Sequence, residues 1–416
     1  MVGLQADWRG LGLLYFLQGV NHLLGFLTVP YLARVLGPWG YGQVAFALGL
    51  VGYLNLLVGY SFDLSGPRRA AKAPPQELAV LVAEVLGGRL LLLGGALALA
   101  YSLLRLPALA QGAHLLPLLL GMVVAQALSP AWLLLGRGHA AWTALLELGQ
   151  RALTLLGLLL WVRSPGDGSA YALLASATAL LASGAGWVLA FRLLGIRPAL
   201  PRGATSLRAL REGGWLFLSQ GASMGLTGGN AFLLGLFAGP QAVAPYAAAE
   251  KLVLTLSALS QPLFRFYFPK LSSAASEEGA FLRLGRRVFR MAFLLGGGLA
   301  LAVGLGAPAL VRLIFGPGYE EAASVARALS PWLLLSALGL VWGYLALVPL
   351  GRDRAHTLLL MGAVAVHIFL AWLLASRWGG LGMALALVGS AGALALGQAL
   401  FLRFWVKVSP AFREEL

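Results

Sequence analysis

The sequence has no cysteine, few histidines and little charge. Without cysteine among its 416 residues the chain forms no disulfide, presents no thiol nucleophile and builds no thiolate metal site. Its five histidines are scattered and supply no close pair of imidazole ligands, so no metal site and no cofactor are expected. Charged residues make up only 11%, against about 25% in a soluble domain, which excludes a surface of ordinary solubility. The opening MVGLQADWRG lacks the basic leader, apolar core and small-residue cleavage site of a signal peptide, so the first apolar run is expected to be retained. What fills the chain instead is apolar: 59% hydrophobic residues and a mean hydropathy of +0.83. Lys and Arg exceed Asp and Glu by 30 to 15. That excess crowds particular loops, so it orients helices and implies no nucleic-acid partner.

A helix crossing a bilayer takes about 20 apolar residues, and runs of that kind recur throughout. The approximate spans are 11–33, 41–66, 79–102, 115–135, 142–162, 170–194, 214–238, 241–268, 288–314, 325–349, 356–376 and 381–403. The expected fold is therefore all-α and integral to a membrane, with about twelve helices. A β-barrel is disfavoured, because its strands alternate apolar and polar over about 10 residues. Basic residues follow the even-numbered spans: Arg68, Arg69 and Lys72; Arg137; Arg197, Arg202, Arg208 and Arg211; Lys270, Arg283, Arg286 and Arg287; Arg352 and Arg354; then Lys407 and Arg413 in the tail. Those ends are expected on the cytoplasmic side, with both termini. The basic connection 195–213 lies near mid-chain and divides it into six-helix lobes, 1–200 and 201–416. Each lobe repeats a Gly-Pro with a nearby tyrosine: Gly37-Pro38 with Tyr41, and Gly239-Pro240 with Tyr246.

Polar residues inside these spans are costly and are functional candidates, although small and polar stripes also serve helix packing. In the first span Gln18, Asn21, His22, Gly25 and Thr28 recur at steps of three and four, on one helical face. The second carries Asn55, Gly59 and Asp63; the seventh Ser219, Ser223, Thr227 and Asn230; the eighth Glu250, Ser257, Gln261 and Arg265. Four stripes on the first pair of each lobe favour a shared hydrated cavity. Arg89 sits near mid-depth, and Glu84, about 140° away on the same helix, is a poor partner for it. Glu147 and Arg151 stand at i and i+4, the favourable order for a neutralising pair. Lys251 points about 100° away from Glu250. Asp63 is placed to meet Arg68 or Arg69 at the interface. His114 and His367 are isolated and read as structural or interfacial. Guanidinium and ammonium groups in such a cavity suit phosphate oxygens.

The segments NHLLGFLTVPYLARVLGPWGYGQVAFAL (21–48), with RRAAK (68–72), and NAFLLGLFAGPQAVAPYAAAEKLVLTLSALSQPLFRFYFPKLSS (230–273) resemble polysaccharide-transport flippases. These belong to the multidrug/oligosaccharidyl-lipid/polysaccharide (MOP) exporter superfamily. The resemblance implies two six-helix lobes in a V, alternating access, an undecaprenyl-diphosphate-linked oligosaccharide as cargo, a place in the cytoplasmic (inner) membrane, and glycan-biosynthesis membrane proteins as partners. On this reading the substrate-facing set is Arg89, Arg151, Lys251, Arg265, Gln18, Asn21, Asn230, Glu250 and Gln261, and Asp63 and Glu147 are candidates for coupling to sodium or protons. Asn230 stands where relatives often carry an acid, which puts coupling through that position in question. Peptidoglycan-precursor (lipid II) flippases are similar but usually carry two further C-terminal helices, for which nothing remains after 403. A multidrug cation antiporter would want an acid-rich lumen. A membrane glycan polymerase or ligase would need large outward loops, whereas the outward acids Glu320 and Glu321 fit a solvated turn. No catalytic residue is expected.

Overall fold

The computed structural model describes residues 8–105, 112, 114–196, 203–275 and 277–408. Of the basic residues used to orient the helices, Arg197, Arg202 and Arg413 lie outside them. Every regular element is helical, with no strand among the described residues. Contacts divide the chain into two compact units, 1–221 and 222–416. The first holds α1 (Trp8–Gly59), α2 (Phe62–Lys72), α3 (Pro75–Leu103), α4 (Leu116–Leu128), α5 (Ala131–Gly136), α6 (Ala140–Trp161), α7 (Gly168–Leu194) and most of α8 (Gly203–Thr227). The second holds the end of α8, then α9 (Asn230–Ala238), α10 (Val243–Ser257), α11 (Gln261–Ala274), α12 (Glu278–Phe315), α13 (Glu320–Gly339), a π-helix (Leu340–Leu347) and α14 (Asp353–Val408).

Nine stretches of the described residues are long and apolar enough to cross a membrane. Two of them, Leu17–Lys72 and Asp353–Phe404, run for 56 and 52 residues. At 1.5 Å per residue each would reach about 80 Å, more than twice a hydrocarbon core of roughly 30 Å. A single straight crossing cannot hold them: the first breaks at Gly37 (φ 68°, ψ 175°) and again between α1 and α2 at Tyr60 (φ 50°), and the second at Gly379 (φ 54°, ψ −128°). The expected spans 11–33 and 41–66 therefore join without a loop, as do 356–376 and 381–403. The span expected over 214–238 is not among the nine: α8 is long enough but carries Arg208, Arg211, Glu212 and many Gly and Ser residues, and its helix is interrupted before α9 at Gly228 and Gly229. Two expected basic loops are largely helical: Arg68, Arg69 and Lys72 lie on α2, and the 269–287 connection shrinks to the few residues between Ala274 and Glu278.

The Gly-Pro repeat has a common backbone. Gly37 and Gly239 adopt φ of 68° and 82° with ψ of 175° and 161°, and Gly316, before Pro317, adopts φ 84° and ψ −166°. A proline bars the preceding residue from helical ψ, while the end of a helix favours positive φ. Only glycine satisfies both conditions at low cost. Each turn is followed by a buried tyrosine, Tyr41, Tyr246 or Tyr319.

Lipid supplies no hydrophobic force between helices, so close backbone approach and polar contacts hold them together. α4 meets α7 where Gly121 leaves room for Ser176, whose Oγ donates to the Leu118 carbonyl at 2.6 Å. α6 meets α7 through Thr154 and Thr178, whose hydroxyls lie 2.8 Å apart. Gly296 of α12 sits against the Leu333 and Leu334 backbone of α13. Leu294, Leu305 and Leu313 of α12, each more than 70% exposed, form an outward surface suited to lipid. Ahead of α7, the Asp167 carboxylate accepts the backbone N–H of Arg163 (2.9 Å) and Ser164 (2.7 Å). These two bonds hold its carboxyl below the ordinary value.

Candidate functional site

Each unit contains a partly open cavity of its own, the first lined about equally by polar and apolar surface and the second mostly apolar with a few polar groups. The cavity of the first, about 420 Å³, is lined from α1, α2 and α4 to α7 by residues that include Asn55, Asp63, Gln126, Glu147, Gln150 and Ser183. The buried carbonyl oxygen of the Asn55 side chain and the hydroxyl of Ser183 have no hydrogen-bond partner. Glu147 is exposed to this space. Asp63, whose side chain is 47% exposed, is tied on both oxygens, to Arg89 at 2.6 Å and to the Gln126 amide at 3.0 Å.

Arg89 departs from its expected role. It is 1% exposed and spends its guanidinium on the protein, donating to Asp63 and to the carbonyls of Gln126 (3.3 Å) and Ser129 (2.9 Å). Those carbonyls are available because the helix stops at Ser129-Pro130, between α4 and α5, where proline cannot supply the usual N–H. Arg89 thus clamps a broken helix and neutralises Asp63. Glu84, set aside as its partner, pairs with Arg69 at 2.8 Å.

Arg151 likewise differs from the expected pairing with Glu147. It reaches across to α1 and donates to the Asn21 carbonyl at 2.6 Å, lying over Gly25, where a Cβ would stand 2.7 Å from its Nη1. Asn21, 4% exposed, donates to the Ala144 carbonyl at 3.3 Å. Both residues join α1 to α6, and Gln18, half-buried, lies one turn away on α1.

In the second unit the buried polarity converges on Asn230, 1% exposed. Its amide nitrogen donates to Glu250 Oε1 at 2.8 Å and to the Leu226 carbonyl at 3.4 Å, so its oxygen faces His367 Nε2 at 2.9 Å. An amide oxygen only accepts, which places the proton on Nε2. His367 Nδ1 lies 3.3 Å from the Ser390 hydroxyl, and Tyr246 donates to the same Glu250 oxygen at 2.9 Å. Ser390, His367, Asn230, Glu250 and Tyr246 therefore form one hydrogen-bonded chain through α14, α9 and α10. His367 is buried as a structural histidine should be, but it is not isolated. Asn230 and Glu250 bond to each other instead of presenting free groups to a substrate.

The eighth expected span is not one continuous helix. A 3₁₀ turn, Ala258–Ser260, separates α10 from α11, because Pro262 supplies no backbone N–H. The proposed common face of Glu250, Ser257, Gln261 and Arg265 is thereby divided. Ser257 and Gln261 line the cavity of the second unit, about 500 Å³, with Ser223, Thr227, Trp332 and Gln398 among their neighbours. Lys251 is half-buried and Arg265 exposed. Gln126, Ser390 and Gln398 escaped sequence reasoning, and Tyr246 figures in it only as part of the Gly-Pro repeat. Their partners lie from 4 to 63 residues away: that of Gln126 is on α2, that of Tyr246 one turn along α10, and those of Ser390 and Gln398 across the Gly379 break of α14, so no regular helical periodicity marks the set. Among the described residues no group of His, Asp and Glu is placed to hold a metal ion.

Long apolar helices in two units, each with a cavity into which polar side chains reach, define a multi-pass membrane protein of the transporter kind. The chain belongs to the family described as "Polysaccharide biosynthesis protein", which it matches over residues 8–275. It is similar to two proteins named "Putative O-antigen transporter". That of Escherichia coli (strain K12) is 25% identical over 383 residues, covering 90% of this chain and 91% of the relative. That of Shigella dysenteriae is 25% identical over 392 residues, covering 90% and 95%. The fold is that of the MOP superfamily. The lipid II flippase MurJ, in an inward closed conformation, superposes with a TM-score of 0.77 at 12% identity over 94% of this chain and 87% of its own. An inward-facing multidrug resistance MATE transporter of the superfamily gives 0.70 at 16% identity, over 95% and 96%. The resemblance drawn from 21–48 and 230–273 stands.

Proposed function

We propose that this chain is a flippase that moves a polyprenyl-diphosphate-linked oligosaccharide from the cytoplasmic to the outer leaflet of the cytoplasmic membrane by alternating access. One observation carries this reading: a chain of the polysaccharide biosynthesis family presents polar side chains in cavities between helices that are otherwise apolar. A glycan cannot cross hydrocarbon without losing its hydrogen bonds, at a cost of several kcal/mol for each polar group. A polar path through protein removes that cost, while the polyprenyl tail stays in lipid. Arg89 is withdrawn from the diphosphate-holding set because it is buried and its charge is paired with Asp63. Lys251 and Arg265 take that part. Arg151 joins them, since one bond to Asn21 leaves it further N–H donors. Coupling to sodium or protons falls to Glu147, which faces the first cavity without an ion pair among the described residues, rather than to Asp63, which Arg89 neutralises.

The direct test is reconstitution in vesicles with a fluorescent polyprenyl-diphosphate-linked oligosaccharide in both leaflets. Quenching of the outer leaflet should consume nearly all of the label in the presence of the protein and about half without it. Equal quenching in both preparations sinks the proposal. The exposed carboxylate of Glu147 favours a second reading, a multidrug cation antiporter. Dye efflux driven by a proton or sodium gradient, with no movement of the lipid, would establish that reading in place of the first.

A further inference from the structure

We propose that the cavity of the second unit is a binding site for uncharged sugar residues, separate from the groups that hold diphosphate. The inference rests on the flippase reading for its biological meaning but not for its chemistry. Among the described residues, no Asp, Glu, Lys or Arg lines the cavity. Three of its hydroxyl groups direct their protons to backbone carbonyls: Thr227 donates to that of Ser223 (3.2 Å), Ser257 to Leu254 (2.7 Å) and Ser336 to Leu333 (3.2 Å). Their oxygens remain as acceptors. Gln398 adds another: it is 0% exposed, its Nε2 is 3.2 Å from His356 Nδ1, and its Oε1 has no partner. A buried acceptor without a donor costs about 1–3 kcal/mol, so this oxygen favours a ligand that brings one.

The chemistry of that ligand follows by elimination. Phosphate brings only acceptors and finds no cation here. An alkyl chain would leave the acceptors unmet. A protonated amine would bring donors but bury its charge without a counter-ion. Sugar hydroxyls bring donors without charge, and the carbon faces of a sugar ring suit Trp332 and Tyr344, which also line the space. The volume of about 500 Å³ falls within the roughly 300–1,000 Å³ usual for small-molecule sites.

The backbone leaves room for this arrangement. The π-helix Leu340–Leu347 runs along the cavity, and π segments are frequent at functional sites. Within it, Gly343 faces the Gln398–His356 pair, where a Cβ would collide with Gln398 Nε2 and with the imidazole ring. Glycine there keeps Gln398 in its present position.

The test uses the full chain in lipid nanodiscs and saturation-transfer NMR. The probe is an equimolar mixture of the methyl glycosides of a neutral hexose, a 6-deoxyhexose and an N-acetylhexosamine. Transfer to the ring protons of at least one glycoside is expected, falling threefold or more in Q398L and in T227V. Thermal unfolding of each variant checks that it is folded, and G343A, which displaces Gln398 without removing it, should weaken the signal as well. Three outcomes overturn the proposal: no transfer to any glycoside, transfer unchanged in folded Q398L and T227V, or loss of the signal on adding tetraphenylphosphonium, which would assign the cavity to organic cations. A lipid-flipping assay run in parallel separates the two claims. Flipping without sugar binding rejects this site alone, whereas sugar binding without flipping rejects the transport reading.

Discussion

Asn230 satisfies two neighbours at once, giving hydrogens to Glu250 and accepting one from His367. Replacing it with leucine removes one of the two donors to Glu250 and the acceptor of His367. At about 1–3 kcal/mol for each buried group left unpaired, N230L should cost roughly 2–4 kcal/mol, read as a lower thermal midpoint. An unchanged midpoint would mean that water replaces the amide. Arg89 yields a second expectation. D63N leaves a buried guanidinium without its counter-charge, and because Asp63 is itself half in solvent the loss should be near the lower limit for a broken buried pair, about 3 kcal/mol. D63N/R89Q should recover part of it; a double variant as unstable as the single one would show that the pair is not the cause. Asp167 provides the pH-dependent case. Its folded value lies below its unfolded one, so its contribution is present above the ordinary carboxylate range and is lost as pH falls through the depressed value. Protection of the Arg163 and Ser164 amides, measured relative to their intrinsic exchange rates, should fall across that acidic window, and D167N should abolish that change in protection.

At the scale of the helix, the long apolar runs were legible because a hydrocarbon core of fixed thickness demands about 20 apolar residues wherever the chain crosses. The breaks were less so. Gly37-Pro38 could be singled out as a repeated pair, but the sequence does not say that Gly37 takes φ 68° inside what is otherwise one 52-residue helix. Nothing surrounds a Cβ built at Gly37 or Gly239, so any loss in G37A or G239A comes from the backbone alone, about 1–3 kcal/mol for a non-glycine residue in this region. Chemical unfolding of the two variants would measure it, and no loss in either would show that the turn relaxes to another geometry. Side-chain partners were the least legible part of the site. Helical angles excluded Glu84 as a partner for Arg89 but had no means of finding Asp63, 26 residues away on another helix. The Asn230–His367 bond spans 137 residues, beyond the reach of any periodicity.

Across the whole molecule, the two cavities differ in charge. The first holds Asp63 and Glu147; among the described residues the second has no Asp, Glu, Lys or Arg in its lining. If Glu147 couples transport to an ion, E147Q should flatten the response of lipid flipping to an imposed pH or sodium gradient while slow equilibration between leaflets continues. A variant that still follows the gradient would remove Glu147 from that role. The neutral lining of the second cavity has an electrical consequence. A transmembrane voltage does work only on charge, about 2.3 kcal/mol per elementary charge per 100 mV, so sugars passing through that cavity are invisible to it. The electrogenicity of a transport cycle would then be set by the diphosphate and any accompanying ion, and should be the same for a short neutral glycan and a long one.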